Sequence, residues 1–286
     1  MKNYILPGAL SLALCGIAMA DTANSTAPSS TAGPDSPKAS AKSQDPKEIT
    51  PVLAEPTKST SPFRFDIGVP AWSSAIVGTT GIKGFSGHIN VPFSTLWDHV
   101  DTVVPLALDA HYNKWGFHID GQYVKLSEHF QTDEILFSSG TLTMEQAFAN
   151  FNLNYQVLDT DRWNVESSIG GRYNYLSLAG TLQTKHPLIV PNKDESGNTS
   201  WVDPIIGTNA TVHIYKPFSL QMLGDVGGFG VGSHITYQFY GGGKIQIARY
   251  FYTELGYRYL YTNYSSAGNT YNVAMKGPQI TFGANF

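Results

Sequence analysis

The chain has 286 residues, and charged side chains make up only 14% of them, against roughly 25% in an ordinary soluble domain. A net charge of −4 without a basic cluster excludes a nucleic-acid-binding surface. A mean hydropathy of −0.15, with no long apolar run after the N-terminus, excludes a bundle of membrane helices, each of which needs about 20 apolar residues.

Met1-Lys2-Asn3 gives a short positive start, Tyr4 to Ile17 is mostly apolar, and Ala18-Met19-Ala20 fits a small-x-small cleavage pattern. Residues 1–20 therefore read as a secretory signal peptide, too short to anchor a mature protein. Cys15 follows Leu14, where a lipoprotein signal needs a small residue. Cleavage after Ala20 would leave no cysteine, which removes thiolate metal sites, disulfides and cysteine nucleophiles from consideration. Residues 21–61 are rich in Ser, Thr, Pro, Ala and Lys and lack aromatics. Such a segment cannot bury enough apolar surface to offset its conformational entropy, so it reads as a disordered tether.

From Phe63 onward the dominant period is two, the signature of strands. Leu106, Leu108, Ala110 and Tyr112 oppose Asp109 and His111. Phe117, Ile119 and Tyr123 oppose His118, Asp120 and Gln122. Ala147, Ala149, Phe151, Leu153, Tyr155 and Val157 oppose Asn150, Asn152, Asn154 and Gln156. Trp163, Val165, Ile169, Tyr173 and Tyr175 oppose Arg162, Asn164, Glu166 and Arg172. Phe251, Leu255, Tyr257, Tyr259 and Tyr261 oppose Glu254, Gly256 and Arg258, and Ile280, Phe282, Ala284 and Phe286 end the chain on an apolar face. Charges keep to the polar face; Lys125, Glu145 and Arg249 are exceptions expected at strand ends. Arg or Lys facing lipid at the midplane costs about 2–4 kcal/mol, so a bilayer would impose this sorting. Aromatics gather beside the tight turns, as in an interfacial girdle: Tyr112 and Trp115, Tyr155 and Trp163, Tyr215 and Phe218, Tyr250 and Phe251. A secreted soluble barrel is the competing class.

The fold expected for 62–286 is all-β: a transmembrane antiparallel up-and-down β-barrel. Tight turns are expected at Asn113-Lys114, Asp159-Thr160-Asp161, Lys216-Pro217 and Ala248, with longer links at 127–142, 177–199, 228–232 and 263–270. Short turns belong on the periplasmic side and long loops outside. Ten strands fit best, with eight or twelve as alternatives. The uncertainty lies in 63–72 and 82–93, which form either one long strand with an extracellular extension or two strands with a hidden turn. Ser94 to Val100 looks helical. A bulge at Gly277-Pro278 is expected to turn Lys276 inward and Val273 and Met275 outward.

The polar face would line the lumen with Arg64, Asp66, Asp109, Asp120, Glu166, Arg172, Asp203, Lys244, Glu254 and Arg258. Glu166 with Arg172, and Glu254 with Arg258, each share a strand. In a narrow lumen such charges form either a sealing plug or a charge-lined pathway for small solutes. His111, His118 and His213, beside Asp109 and Asp120, supply the groups of a general base. However, the first two flank a turn assigned to the periplasm, the wrong end for surface hydrolysis. Gly228-Phe229-Gly230-Val231-Gly232 lacks the following helix that a phosphate loop requires, since His234 to Gln238 continues as a strand. No cofactor or metal is expected. Loop 184–200, with Lys185, Lys193, Asp194 and Glu195, is polar enough to meet a surface partner but specifies none.

Lys114-Trp115-Gly116 leading to Asp120-Gly121, then Gly170-Gly171-Arg172-Tyr173, the string Gly224 to Ser233, Gly256-Tyr257-Arg258-Tyr259-Leu260 and the terminal Phe286 give Phe63–Phe286 a likeness. The segment resembles a family of small bacterial outer-membrane β-barrel proteins, broadly similar to OmpA- and OmpW-like barrels. The resemblance implies residence in the outer membrane, contact with its lipid, and a barrel-assembly machinery reading the C-terminal strand at Phe286. It brings no catalytic residue. The functional expectation is a structural or narrow-pore, porin-like role; the alternatives are a lipid or peptide hydrolase and a surface-loop adhesin or receptor.

Overall fold

The computed structural model describes residues 62–82, 85–94, 100–131, 137–184 and 192–286. The expected signal peptide and tether, and most of the helix-like Ser94–Val100 segment, lie outside those residues. The strands are β1 (Phe63–Trp72), β2 (Ala75–Ile82), β3 (Phe85–Val91), β4 (Val100–Tyr112), β5 (Trp115–Gln131), β6 (Phe137–Asp159), β7 (Trp163–Thr184), β8 (Lys193–Tyr215), β9 (Phe218–Gly227), β10 (Ile235–Gln246), β11 (Phe251–Ser266) and β12 (Asn269–Asn285). Each neighbour in the series β4 to β12 is antiparallel to the next, and β1 joins β4 to β12. The result is a closed barrel of ten strands.

β1 and β2 are one strand of that count. Both keep the same register on β12, Trp72 facing Gln279 and Ala75 facing Lys276. Only Ser73 and Ser74 interrupt it, opposite Gly277 and Pro278. Pro278 has no N–H to return the bond that its carbonyl accepts from Ser73 N at 2.9 Å. The backbones run so close here that a Cβ at position 277 would overlap the Ser73 carbonyl oxygen. The second stretch expected at 82–93 therefore begins earlier, at Ala75, and β3 pairs antiparallel with β2, Phe85 facing Ile82.

The seam between β1 and β4 ends for a related reason. Asn113 N donates to Pro62 O, and hydrogen-bonded pairs recur every second residue along the ladder. The ladder stops at Gly68 with Ala107. The next bonded pair would set Pro70 against Pro105, and neither has an N–H to exchange.

The four tight turns lie where the sequence places them. The opposite end differs. β5 and β6 run to Gln131 and from Phe137, β7 and β8 to Thr184 and from Lys193, so the expected links 127–142 and 177–199 are largely strand. The link expected at 263–270 is a two-residue turn, Ala267-Gly268, with φ of 50° and 80°. Positive φ at both positions matches the right-handed strand twist, which is why this turn closes a hairpin tightly.

The outer wall carries a belt of large exposed apolar side chains, among them Ile169, Phe239, Leu255 and Phe282. On β11 it runs from Phe251 up to Tyr261 and on β12 from Phe286 up to Pro278. That is the length of about 9–11 tilted residues that crosses a hydrocarbon core. Polar faces of the same strands are buried inside: Asn150, Asn154, Arg172, Asp203, Glu254 and Arg258. An exterior of this kind, wrapped around a buried charged interior, is a membrane-spanning wall.

Above the belt the polarity inverts. Ile76, Phe148, Leu176, Trp201, Tyr264, Tyr271, Val273 and Met275 form a buried apolar cluster inside the barrel. Outside, at the same height, Lys125 pairs with Glu145 at 3.3 Å, and Asn272 and Lys276 are exposed. Lys125 and Glu145 thus sit mid-strand, above the belt, rather than at strand ends. The β11–β12 register passes unbroken through Tyr257–Pro278 and Arg258–Gly277. No bulge exists at Gly277-Pro278: Val273 and Met275 face the lumen and Lys276 faces out, because that part of β12 stands above the apolar belt.

Candidate functional site: the charged lumen

The alternation of each strand brings the ten charged residues singled out from the sequence to the inner face, where they sort into clusters by height. Nearest the tight turns, Arg64 lies 3.8 Å from Asp66, His111 Nε2 meets Glu166 at 3.1 Å, and Asn154 donates to Glu166 at 3.2 Å. Lys244 Nζ stands 3.6 Å over the Tyr252 ring. The Gln221 amide, oriented to donate, reaches both Glu254 oxygens at 3.0 and 2.8 Å.

The central cluster crosses the lumen. Asp109 meets His118 Nδ1 at 2.6 Å, and His118 Nε2 meets Asp120 at 3.3 Å. Asp120 also accepts from Asn150 at 2.8 Å and from the Arg258 guanidinium. Asp120 is on β5 and Arg258 on β11, so this contact joins opposite walls. Arg258 is also held by Gln238 at 2.7 Å. Beside it Arg172, fully buried, donates to Asn150 at 2.6 Å, to Thr236 at 2.8 Å and to both oxygens of Asp225 at 2.7 and 2.9 Å.

Two expected pairings do not form. Glu166 pairs with His111 rather than Arg172, and Arg258 with Asp120 rather than Glu254. Residues four or six apart along a strand share a face but lie too far apart along it, whereas side chains from different strands converge in a narrow lumen. Among the described residues no cation pairs with Asp203; it accepts from Ser233 N at 2.5 Å, Ser233 Oγ at 2.8 Å, and Trp201 Nε1 and Asn174 Nδ2, each at 3.0 Å. It thereby fixes the glycine-rich turn after β9. Asp225 and Gln238 are absent from the lumen residues expected from the sequence, whereas Asn150 lies buried on the polar face expected of its strand. Asp225 precedes the link expected at 228–232, and Leu220, Met222 and Val226 on the other face of its strand mark it as inward.

The cluster is roofed by aromatics. Arg258 Cζ lies 5.2 Å from the Trp72 ring and 5.1 Å from Phe148, and these two rings meet edge-on at 5.9 Å. Higher still, Trp201 stacks on Tyr264 at 4.0 Å. Between roof and wall, Ser74, Ile76, Gln122, Val124 and Met275 bound a space of about 10 Å³, the room of a single water.

As a base, His118 is poorly placed, because both ring nitrogens are engaged by carboxylates. His111 Nδ1 is buried and unpartnered, and His213 is exposed at the far end of β8. Among the described residues, no group of three or more His, Cys, Asp or Glu side chains could hold a metal ion.

Fold and lumen together define a ten-stranded membrane barrel with a charged interior. No family model matches the chain, and no curated protein does. Among solved structures it is similar to the outer membrane protease OmpT from Escherichia coli, with a TM-score of 0.46 and 10% identity over 78% of this chain and 96% of that one. The translocator domain of the autotransporter NalP from Neisseria meningitidis gives 0.34 and 10%, over 81% and 91%. Ail, the attachment invasion locus protein of Yersinia pestis, gives 0.29 and 10%, over 78% and 97%. Likenesses of this size say nothing about a shared activity.

Proposed function

We propose that this chain is a structural protein of the bacterial outer membrane whose barrel is sealed to solutes, the lumen charges filling and bracing it instead of lining a pathway. The observation that carries this reading is the Asp120–Arg258 contact across the lumen, flanked by the Arg172–Asp225 pair and roofed by Trp72 and Phe148. An open polar pathway needs hydrated side chains with room to exchange ions. Here the central groups, Asp120 with Arg258 and Arg172 with Asp225, are paired with one another, and the space beside their aromatic roof holds about one water. The outer membrane is supported by the layout of short turns at the end that holds both barrel termini and longer strands at the other. Phe286, outward at the end of β12, is on this reading the residue met by the assembly machinery. Planar-bilayer recording of the refolded barrel tests the proposal: a quiet membrane is expected, and steady single-channel steps would contradict it.

One observation favours a second role alongside the first. β6, β7 and β8, of 22–23 residues, rise well above the belt with a polar exterior around an apolar core. A rigid surface of that kind suits recognition outside the cell more than hydrolysis does. A protease and lipase screen with His111 and His118 substitutions addresses the hydrolase alternative, which would gain support only from turnover lost in those variants.

A further inference from the structure

The outer wall near the tight turns contains a dent. Register aligns Phe63, Tyr112, Trp115 and Tyr155 in one row across β1, β4, β5 and β6, and Phe65, Ala110, Phe117 and Leu153 in the next. Every member of both rows is large except Ala110. The missing bulk leaves a groove of about 230 Å³ bounded by Phe63, Tyr112, Trp115, Phe117 and Leu153. Trp115 is braced against Tyr155 at 4.9 Å, so the groove has a rigid lip.

Directly below that lip, the two-residue turn between Tyr112 and Trp115 carries Lys114, exposed. The neighbouring turns repeat the arrangement, Arg162 beside Trp163 and Arg249 over Tyr250 at 5.1 Å. An ammonium one residue outside an apolar groove matches a molecule with an anionic head and a hydrocarbon tail. We propose that the groove over Ala110 and the Lys114 ammonium form a binding site for one anionic glycerophospholipid of the periplasmic leaflet, an acyl chain lying in the groove and the phosphate at Lys114. This rests on the membrane reading above, since only then does the groove face lipid.

The test is native mass spectrometry of the full chain refolded in phosphatidylethanolamine bilayers with or without phosphatidylglycerol, then released into mild detergent. Heat-modifiable gel migration reports folding separately; a chain that never folds in bilayers overturns the membrane reading and the site with it. The wild type is expected to retain one phosphatidylglycerol. Ala110→Phe fills the groove from outside and is expected to lower retention about tenfold. Lys114→Glu, which leaves the groove intact, is expected to lower it about fivefold, while Leu255→Phe on the far wall retains the lipid. The proposal is overturned if folded wild type retains none, if phosphatidylethanolamine is held as well as phosphatidylglycerol, or if folded Ala110→Phe or Lys114→Glu holds the lipid as the wild type does.

Discussion

Arg172 on β7 reaches past its cross-strand neighbour Asp203 on β8 to form a two-point ion pair with Asp225 on β9, at 2.7 and 2.9 Å. Its remaining nitrogens are taken by Asn150 and Thr236, so one side chain ties four strands together. Replacing Arg172 by Leu strands the Asp225 carboxylate and is expected to cost about 3–5 kcal/mol. Arg172→Leu with Asp225→Leu removes both charges and should recover most of that loss. Urea unfolding in micelles checks it; equal losses in the single and double variants would show that the pair is not what matters.

The inverted polarity above the belt predicts opposite tolerances at residues three apart on β12. Val273→Asp places a carboxylate in the apolar cluster and is expected to cost about 3 kcal/mol or more. Lys276→Glu on the exposed outer face is expected to stay within about 0.5 kcal/mol. The same unfolding measurement separates them.

Within the belt the rule changes sign. Leu255 is 65% exposed and faces outward at mid-belt on β11, so Leu255→Arg is expected to cost about 2–4 kcal/mol on refolding into bilayers. Ser265→Arg, ten residues higher on the same face, should be near neutral.

The opposed prolines predict a repairable seam. Pro70→Ala with Pro105→Ala supplies the two missing donors of one bonded pair, each bond contributing about 1 kcal/mol net. Hydrogen exchange should show amides 70 and 105 protected in the double variant. Exchange there at the rate of an open loop would mean that something other than the missing donors parts β1 from β4.

Much of the barrel could be read from period two alone. Phe251 to Tyr261 and Asn150 to Asn154 declare their faces because each strand has one greasy and one polar side through the membrane. The same rule failed at Val273, Met275 and Lys276. It assumes one solvent for the whole strand, whereas β12 passes from lipid into water and its two faces exchange roles. Strand ends were misjudged near 127–142 and 177–199 for a similar reason: Ser, Thr, Gly and Asn there suit a watered sheet edge as well as a loop. In the lumen, Arg172 and Arg258 could be recognised as inward, but their partners could not. Asp225 and Asp120 come from other strands, and only closure of the barrel decides which carboxylate a guanidinium meets.

Single cysteines placed along β12 in a Cys15→Ser chain, exposed in bilayers to a water-soluble thiol reagent, test the account most directly. Positions 280 and 282 are expected to resist labelling because lipid covers them, position 276 to react, and 273 and 275 to resist because they face the packed interior. Rapid labelling at 280 and 282, or protection at 276 with labelling at 273, would contradict a wall that is greasy outside within the membrane and polar outside above it.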